Sequence, residues 1–354
     1  DATFFYEFAN QRSARYERVF LRVPRGTGNY RYKGDLNGNG VSEENEFELT
    51  RFDGEYVVFL APGDQLIPVL DLKTSMRFRL EPQRFFRQPA TMLERVLSAL
   101  SSETFIRVEE RSSETDVKQI YLMNLSRFLN QQTTLSGAQY ITQDMHIYEH
   151  RADFSTRFRF TQRKSLLQLV SATEKSFNTE RSVRIRSQML PEIGNQTEFI
   201  QGVDRVNATA QTPRERDVFA VSLNSDFSYR PEPAWEVGLR FEVKRVEDRL
   251  RNPVPIVDMN EQSVRTSYSF FGTGQVRAEV KREEVILSQG VQDPARPFPY
   301  EFTNGKVIGK SLLWQLAFEY RFNQHMQITL HYNGRREGDR STVHTGQVEA
   351  KVFF

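Results

Sequence analysis

Large apolar residues occupy every second position in the last part of the chain. The first run has Leu312, Trp314, Leu316, Phe318, Tyr320 and Phe322, with Gln315, Ala317, Glu319 and Arg321 between them. The next two runs repeat the pattern with Met326, Ile328, Leu330 and Tyr332, and then with Val348, Ala350, Val352 and Phe354. A period of two predicts strands that have one apolar and one polar face.

These runs are longer than typical strands of soluble sheets, which have about five to six residues. A tilted strand needs about nine to eleven residues to cross a bilayer. Only helices and closed barrels satisfy their backbone groups in lipid. The pattern therefore predicts an all-β fold whose main part is a closed, antiparallel transmembrane β-barrel.

The composition changes this prediction little. Hydrophobic residues make up 38% of the 354 residues, charged residues 27%, and the net charge is +2. A barrel strand presents only alternate residues to lipid, so a barrel needs no long apolar segment. The charge balance gives no indication of nucleic-acid binding. The absence of cysteine excludes disulfides and thiolate metal sites.

The chain divides into three predicted parts. Residues 1–88 contain short strand-like runs separated by Gly and Pro, as in a small β-domain. Residues 89–136 form a helix and a connector, and the helix is amphipathic because apolar residues recur at helical spacing over 89–101. Residues 137–354 form the barrel.

About ten barrel strands are predicted: 137–148, 152–163, 179–190, 217–230, 234–246, 262–271, 274–287, 311–322, 325–335 and 341–354. Short turns connect some of them. Longer polar segments, 164–178, 191–216, 247–261 and 288–310, connect others. Short turns on one side and long loops on the other are typical of outer-membrane barrels.

The polar faces of these strands carry charges of both signs, such as Arg159, Arg265, Lys281, Asp226 and Glu283. A ten-stranded barrel is narrow, so these side chains are expected to cross-link its interior as an ion-pair network. We therefore expect a plugged barrel rather than an open pore.

Catalytic residues are not predicted. His325 and His331 share the polar face of one strand, and Ser222 and Asp226 share that of another. A Ser/His/acid group would require them to be adjacent, and lone histidines in a polar interior usually fill space and form hydrogen bonds. We expect a non-catalytic protein.

A twelve-residue segment in the N-terminal part has the spacing of a calcium loop. It begins at Asp35 and has Gly40 at its sixth position, where a sharp turn is needed. The candidate ligands are Asp35, Asn37, Asn39, the Val41 carbonyl, Glu43 and Glu46. A hard cation requires six to eight oxygens around one point, so this spacing predicts bound Ca²⁺. The alternative is an ordinary Asn-Gly turn.

The C-terminal part, residues 137–354, resembles Gram-negative outer-membrane β-barrel proteins. Its last apolar positions, Val348, Ala350, Val352 and Phe354, look like the signal read by the barrel-assembly machinery, although Glu349 and Lys351 depart from the usual form. The calcium loop before a barrel also resembles the C-terminal part of large cell-surface proteins of the Bacteroidetes–Chlorobi type. The resemblance implies the outer membrane as location, and its lipid and the assembly machinery as partners.

Three functions are compatible with this sequence. The first is a barrel that anchors a larger surface or periplasmic assembly, with protein partners in that complex. The second is a transport or secretion channel. The third is a soluble β-rich binding module. Conductance in a planar bilayer separates the first two, and solubility without detergent distinguishes the third.

Overall fold

The protein is an all-β molecule with few helices in this computed structural model, which describes residues 1–86, 90–113, 128–209, 214–270, 272–290 and 298–353. The strands are β1 Ala2–Arg22, β2 Gly28–Tyr32, β3 Phe47–Gly54, β4 Tyr56–Leu80, β5 Leu100–Ser112, β6 Thr134–Ile147, β7 Phe154–Gln168, β8 Thr173–Leu190, β9 Ile193–Ala208, β10 Arg216–Glu232, β11 Trp235–Asp248, β12 Ile256–Phe270, β13 Gly274–Gln289, β14 Gly309–Asn323, β15 Met326–Glu337 and β16 Val343–Val352. The helices are α1 Met92–Ala99 and α2 Tyr300–Thr303, with 3-10 turns at Glu44–Glu46 and Pro82–Arg84.

All sixteen strands belong to one antiparallel sheet. From β4 to β16 each strand pairs with the next one along the chain, and β1 pairs with β4. Strands β2 and β3 form a hairpin that touches β4 at a single pair, Tyr30 with Tyr56. We call the other fourteen strands the wall, and residues 23–55, which join β1 to β4 and contain this hairpin, the insert.

The wall is strongly curved. Nine strand spacings separate β4 from β13, which is about 43 Å in a flat sheet with 4.8 Å between strands. Arg51 of the insert nevertheless hydrogen-bonds Glu283 on β13, while the insert begins and ends beside β1 and β4. Because an arginine side chain is only several ångströms long, the insert must lie on the concave side of the wall.

The connections differ between the two rims of the wall. Six connections lie on one rim. Five of them are short, and the sixth is the longer segment of residues 81–99. The seven on the opposite rim include the insert, residues 113–133 and residues 290–308. We call these the short rim and the long rim. This arrangement matches the predicted alternation of short turns and long loops.

The predicted alternation of faces is confirmed. Apolar side chains such as Phe241, Val264 and Leu316 lie on the convex face, where Phe241 is 46% exposed. The concave face carries the predicted ion pairs. Arg159 binds Asp144 at 2.6 and 2.7 Å, and Arg265 binds Asp226 at 2.7 and 2.8 Å.

The predicted number of about ten strands is wrong, because the sheet has sixteen. All ten predicted strands are present, but β9 was assigned to a polar loop. Its convex positions include Asn195, Thr197 and Gln201, so apolar residues do not alternate visibly there. In β1 and β4 the sequence predicts only short strand-like runs of a small β-domain, although these strands pair over nearly their whole lengths of 21 and 25 residues.

The prediction of a closed barrel is also wrong. Among the described residues β1 pairs with β4 and makes one further bridge, from Tyr16 to Leu169, while β16 pairs only with β15. Alternation assigns the faces of each strand but says nothing about which strands meet at the edges. Strand β16 is exposed along all of its 10 residues.

The sheet continues through both predicted domain boundaries, since β4 pairs with β5 and β5 pairs with β6. The division at residues 88 and 136 stays a prediction. Helix α1 lies within the segment predicted to be helical, while Pro89 and Phe354 lie outside the described residues. In the described part of the chain, none of the helices has the length and apolar character needed to cross a membrane.

Candidate functional site

The insert has a small aromatic core of its own. The rings of Phe20 and Phe47 stack with centroids 3.8 Å apart. Tyr30, Tyr32 and Tyr56 surround them, each with its ring centroid 5.1 to 5.3 Å from that of Phe20 or Phe47. Because Phe20 and Tyr56 belong to the ends of β1 and β4, this core fixes the hairpin to the strands that carry it.

Ion pairs tie the insert to the far side of the wall. Both terminal nitrogens of Arg51 donate to Glu283 on β13, at 2.6 and 2.8 Å, and the Glu283 side chain is only 2% exposed. Asp53 pairs with Arg335 on β15. The Arg335 guanidinium also lies over the ring of Phe52, 4.4 Å from its centroid.

The near side is held by Arg18. This side chain, at the long-rim end of β1, donates to Glu174 at the start of β8 at 2.6 and 2.7 Å. It also donates to Glu44 of the insert at 2.9 Å. The backbone N–H of Val170 donates to the Tyr16 carbonyl at 2.9 Å. The long-rim ends of β1 and β4 therefore lean across the concave side towards β8.

The connection between β13 and β14 fills space beside the insert. Phe302 of α2 is fully buried against Val246, Val257 and Val285 on the concave face of β11–β13. The Lys306 ammonium lies 2.8 Å from Glu261 and 3.6 Å from Glu283. Glu283 therefore has two cationic neighbours, one from the insert and one from this connection.

Together these contacts make the insert a plug at the long rim. It is held from β8 on one side to β13 and β15 on the other, and mainly by ion pairs. Fully paired and partly buried charges hold one geometry firmly, but water can solvate each partner once they separate.

The six predicted calcium ligands lie in one loop of the insert. The Asp35 carboxylate accepts from the backbone N–H groups of Gly38 and Gly40 at 2.7 and 2.8 Å. Glu46 is fully buried and accepts from Leu36 N–H and Glu43 N–H, at 2.8 and 3.1 Å. These hydrogen bonds fold the backbone of the loop around the carboxylates of Asp35 and Glu46, which stand at its two ends.

The remaining predicted ligands make contacts within the same loop. Asn37 and Asn39 each donate a side-chain amide N–H to the Glu43 carboxylate, at 3.0 and 2.9 Å. The Asn39 side-chain oxygen accepts from Val41 N–H at 2.7 Å. The described residues contain no group of three or more His, Cys, Asp or Glu side chains placed to hold a metal. A cation here would therefore rely on the amide oxygens and the Val41 carbonyl as well.

The loop keeps Asp35 ionised. The hydrogen bond from the backbone N–H of Gly40 is the largest cause of the lowered pKa of Asp35; desolvation opposes it, and the N–H of Gly38 lowers the pKa further. An ionised carboxylate with a second lone pair on each oxygen can accept a cation in addition to these amides. The donor chemistry of the loop thus fits a hard cation.

Sequence reasoning missed the residues that hold the plug. Arg51 and Glu283 are 232 positions apart, and Asp53 and Arg335 are 282 apart, so no local pattern links them. Asp226 pairs with Arg265, and four strands, β11 to β14, lie between Ser222 on β10 and His331 on β15. The structure does not bring the considered Ser, His and acid side chains together.

No protein-family model and no curated protein matches the sequence. Among solved structures, the chain is similar to the siderophore receptor PirA of Pseudomonas aeruginosa, with 11% identity, a TM-score of 0.39, and coverage of 80% of this chain and 58% of the receptor. It is also similar to the outer-membrane protein OmpT of Vibrio cholerae, with 8% identity, a TM-score of 0.36, and coverage of 100% and 98%. A mutant of the Rh. blastica porin has 8% identity and a TM-score of 0.25, with 98% and 100% covered. The chain thus spans less than two thirds of the length of PirA.

Proposed function

We propose that the protein forms the wall of a passage through a Gram-negative outer membrane, closed at its long rim by the insert. The observation that carries this proposal is the pair of attachments from the insert to β13 and β15, Arg51 with Glu283 and Asp53 with Arg335. Fourteen wall strands exceed the eight whose side chains fill a barrel, so a lumen of this width needs a plug to be closed.

The membrane location is supported by the convex face. Many large apolar residues on it are exposed, as a lipid-facing surface requires. Open sheet edges do not occur in lipid. The proposal therefore requires that the two open edges, β1 and β16, be covered in the membrane.

Weakening the plug's attachment should open the passage. In a chain carrying Arg51→Gln and Asp53→Asn, Glu283 loses its strongest partner and Arg335 loses Asp53. A change of about 1.4 kcal/mol in the closed-to-open equilibrium is tenfold, and loss of a partner by a buried charge exceeds that, so open events should rise at least about tenfold. Planar-bilayer recordings would measure the open fraction.

The matched control is Arg265→Gln with Asp226→Asn. It removes the same two charge types from a wall pair that does not touch the insert. Its open fraction should stay at the wild-type value. Equal opening in both variants, or silence in both, would contradict the role of the insert.

A second candidate is a non-catalytic anchor for a larger surface or periplasmic assembly. The number of ion pairs that hold the insert favours it, because a permanently closed wall needs firm attachment. An anchor shows no conductance in any of these variants, while its removal releases protein partners from the membrane. Both candidates share outer-membrane lipid and the barrel-assembly machinery as proposed partners.

The insert is also proposed to bind Ca²⁺ through Asp35, Asn37, Asn39, the Val41 carbonyl and Glu46. Glu43 is proposed to contact the ion through a bridging water. With two amides among the ligands, the affinity is expected in the weak extracellular range, roughly 10⁻⁴–10⁻³ M. At 10 mM free calcium this adds about 1.4–2.7 kcal/mol to the folded loop, from RT ln(1 + [L]/Kd).

Removing calcium should therefore loosen residues 33–48 while the wall stays intact. Chelator should raise protease cleavage within this segment about tenfold or more, in proportion to [L]/Kd. Asp35→Asn should abolish most of that difference, whereas Glu48→Gln, an exposed pair with Arg31 outside the loop, should keep it. Identical wild-type cleavage with and without chelator would identify the segment as an ordinary turn.

A further inference from the structure

Helix α1 presents an apolar face that no part of the described protein covers. Met92, Leu93 and Val96 are 83%, 69% and 51% exposed. Phe85, just before the helix, is 79% exposed. Glu94, Arg95 and Ser98 occupy the other side. The helix is therefore amphipathic, with its apolar side turned away from the wall.

The protein holds this helix firmly in place despite the open face. Thr91 and Glu94 form a capping box, in which Glu94 N–H donates to the Thr91 hydroxyl at 3.2 Å and the Glu94 carboxylate accepts from Thr91 N–H at 3.3 Å. At the other end, Tyr148 N–H donates to the Ala99 carbonyl at 2.8 Å. An eight-residue helix is only marginally stable alone in water, and most helices are stabilised by packing of their apolar face. We therefore expect another medium to cover the apolar side of α1.

The position of α1 identifies that medium. The hydrogen bond from Tyr148 places the helix at the short rim, beside the turn between β6 and β7. Next to it, Phe78 and Leu80 of β4 are 46% and 44% exposed on the convex face. Helix α1 thus lies at the rim where exposed apolar residues of the convex face, Phe78 and Leu80 among them, also end.

We propose that α1 lies in the membrane interface of the short-rim leaflet and buries Met92, Leu93 and Val96 among the lipid chains. The inference rests on the proposed membrane location of the wall. Arg95 then faces the headgroup layer, as is typical of interfacial helices. The occupant of this surface is lipid, and a protein partner on the same face is the competing outcome of the test.

The full chain has no cysteine, so single cysteines can be labelled cleanly. A fluorescent label is attached at Val96→Cys, at Arg95→Cys, or at Phe241→Cys on the convex face of the wall, and the protein is reconstituted into phosphatidylcholine vesicles. Spin-labelled lipid should quench the labels at 96 and 241. Aqueous iodide should quench the label at 95 several-fold more strongly than the label at 96.

The outcomes separate the two proposals. If the label at 241 is quenched by lipid and the label at 96 only by iodide, α1 lies in water and the inference is wrong. Protection of position 96 from both quenchers shows a protein cover and also overturns it. Failure of the label at 241 to respond to lipid contradicts the membrane location itself.

A second variant tests the face rather than the position. Adding Leu93→Glu to the Val96→Cys chain places a charge on the apolar side, one turn away from the label. This should lift the helix towards water and raise iodide quenching at 96 several-fold, while the label at 241 stays unchanged. An unchanged response at 96 would mean that lipid does not hold this face.

Discussion

A chain in which a two-residue Asn-Gly turn replaces residues 23–55 is expected to conduct ions continuously in a planar bilayer. The replacement suits the backbone, because Arg22 and Tyr56 already face each other at the ends of β1 and β4. Asn-Gly is the favoured connection for a two-residue hairpin. The shortened chain should therefore keep its wall and lose only the plug.

The expected change is larger than that of any single ion-pair variant. Deletion removes Arg51, Asp53 and three of the five rings of the aromatic core together, so no attachment to β13 or β15 is left. The β-sheet content, followed by circular dichroism, is the control for an intact wall. A folded but silent deletion variant would contradict a passage closed by the insert, and would favour the anchor.

The sequence predicted those strands whose convex positions are consistently apolar. Strand β14 is an example, since each even position from Leu312 to Phe322 is large and apolar. Strand β9 escaped because polar side chains occupy several of its convex positions; Asn195, for example, donates to the Ser225 hydroxyl of β10 at 3.2 Å. Hydrogen bonding between neighbouring strands can replace apolar character there, and a single strand does not reveal it.

One part of the candidate site could be predicted from the sequence and the other could not. The calcium loop is local in sequence, so spacing alone placed its six residues together. The plug is not local, because its position depends on how far the wall curves. That curvature brings Glu283 and Arg335 to the insert from the far side of the sheet, and alternation contains no information about it.

Leu316→Arg should destabilise the reconstituted protein by about 2–4 kcal/mol, the cost of an arginine facing lipid near the bilayer midplane. Leu316 lies on the convex face of β14, between its pairing partners Ala278 and Tyr332. On the proposed membrane location, a charge there would meet lipid beside these two neighbours. Denaturant unfolding in vesicles would measure the change in free energy.

The adjacent position provides the matched control. Gln315 lies on the concave face and donates to Glu279 at 2.7 Å, so Gln315→Arg gains an ion pair and should change stability by less than about 1 kcal/mol. Equal losses at both positions would contradict the assignment of faces. If Leu316→Arg instead made the protein soluble and stable without detergent, the convex surface would belong to a soluble binding module, because water would then be the medium that it meets.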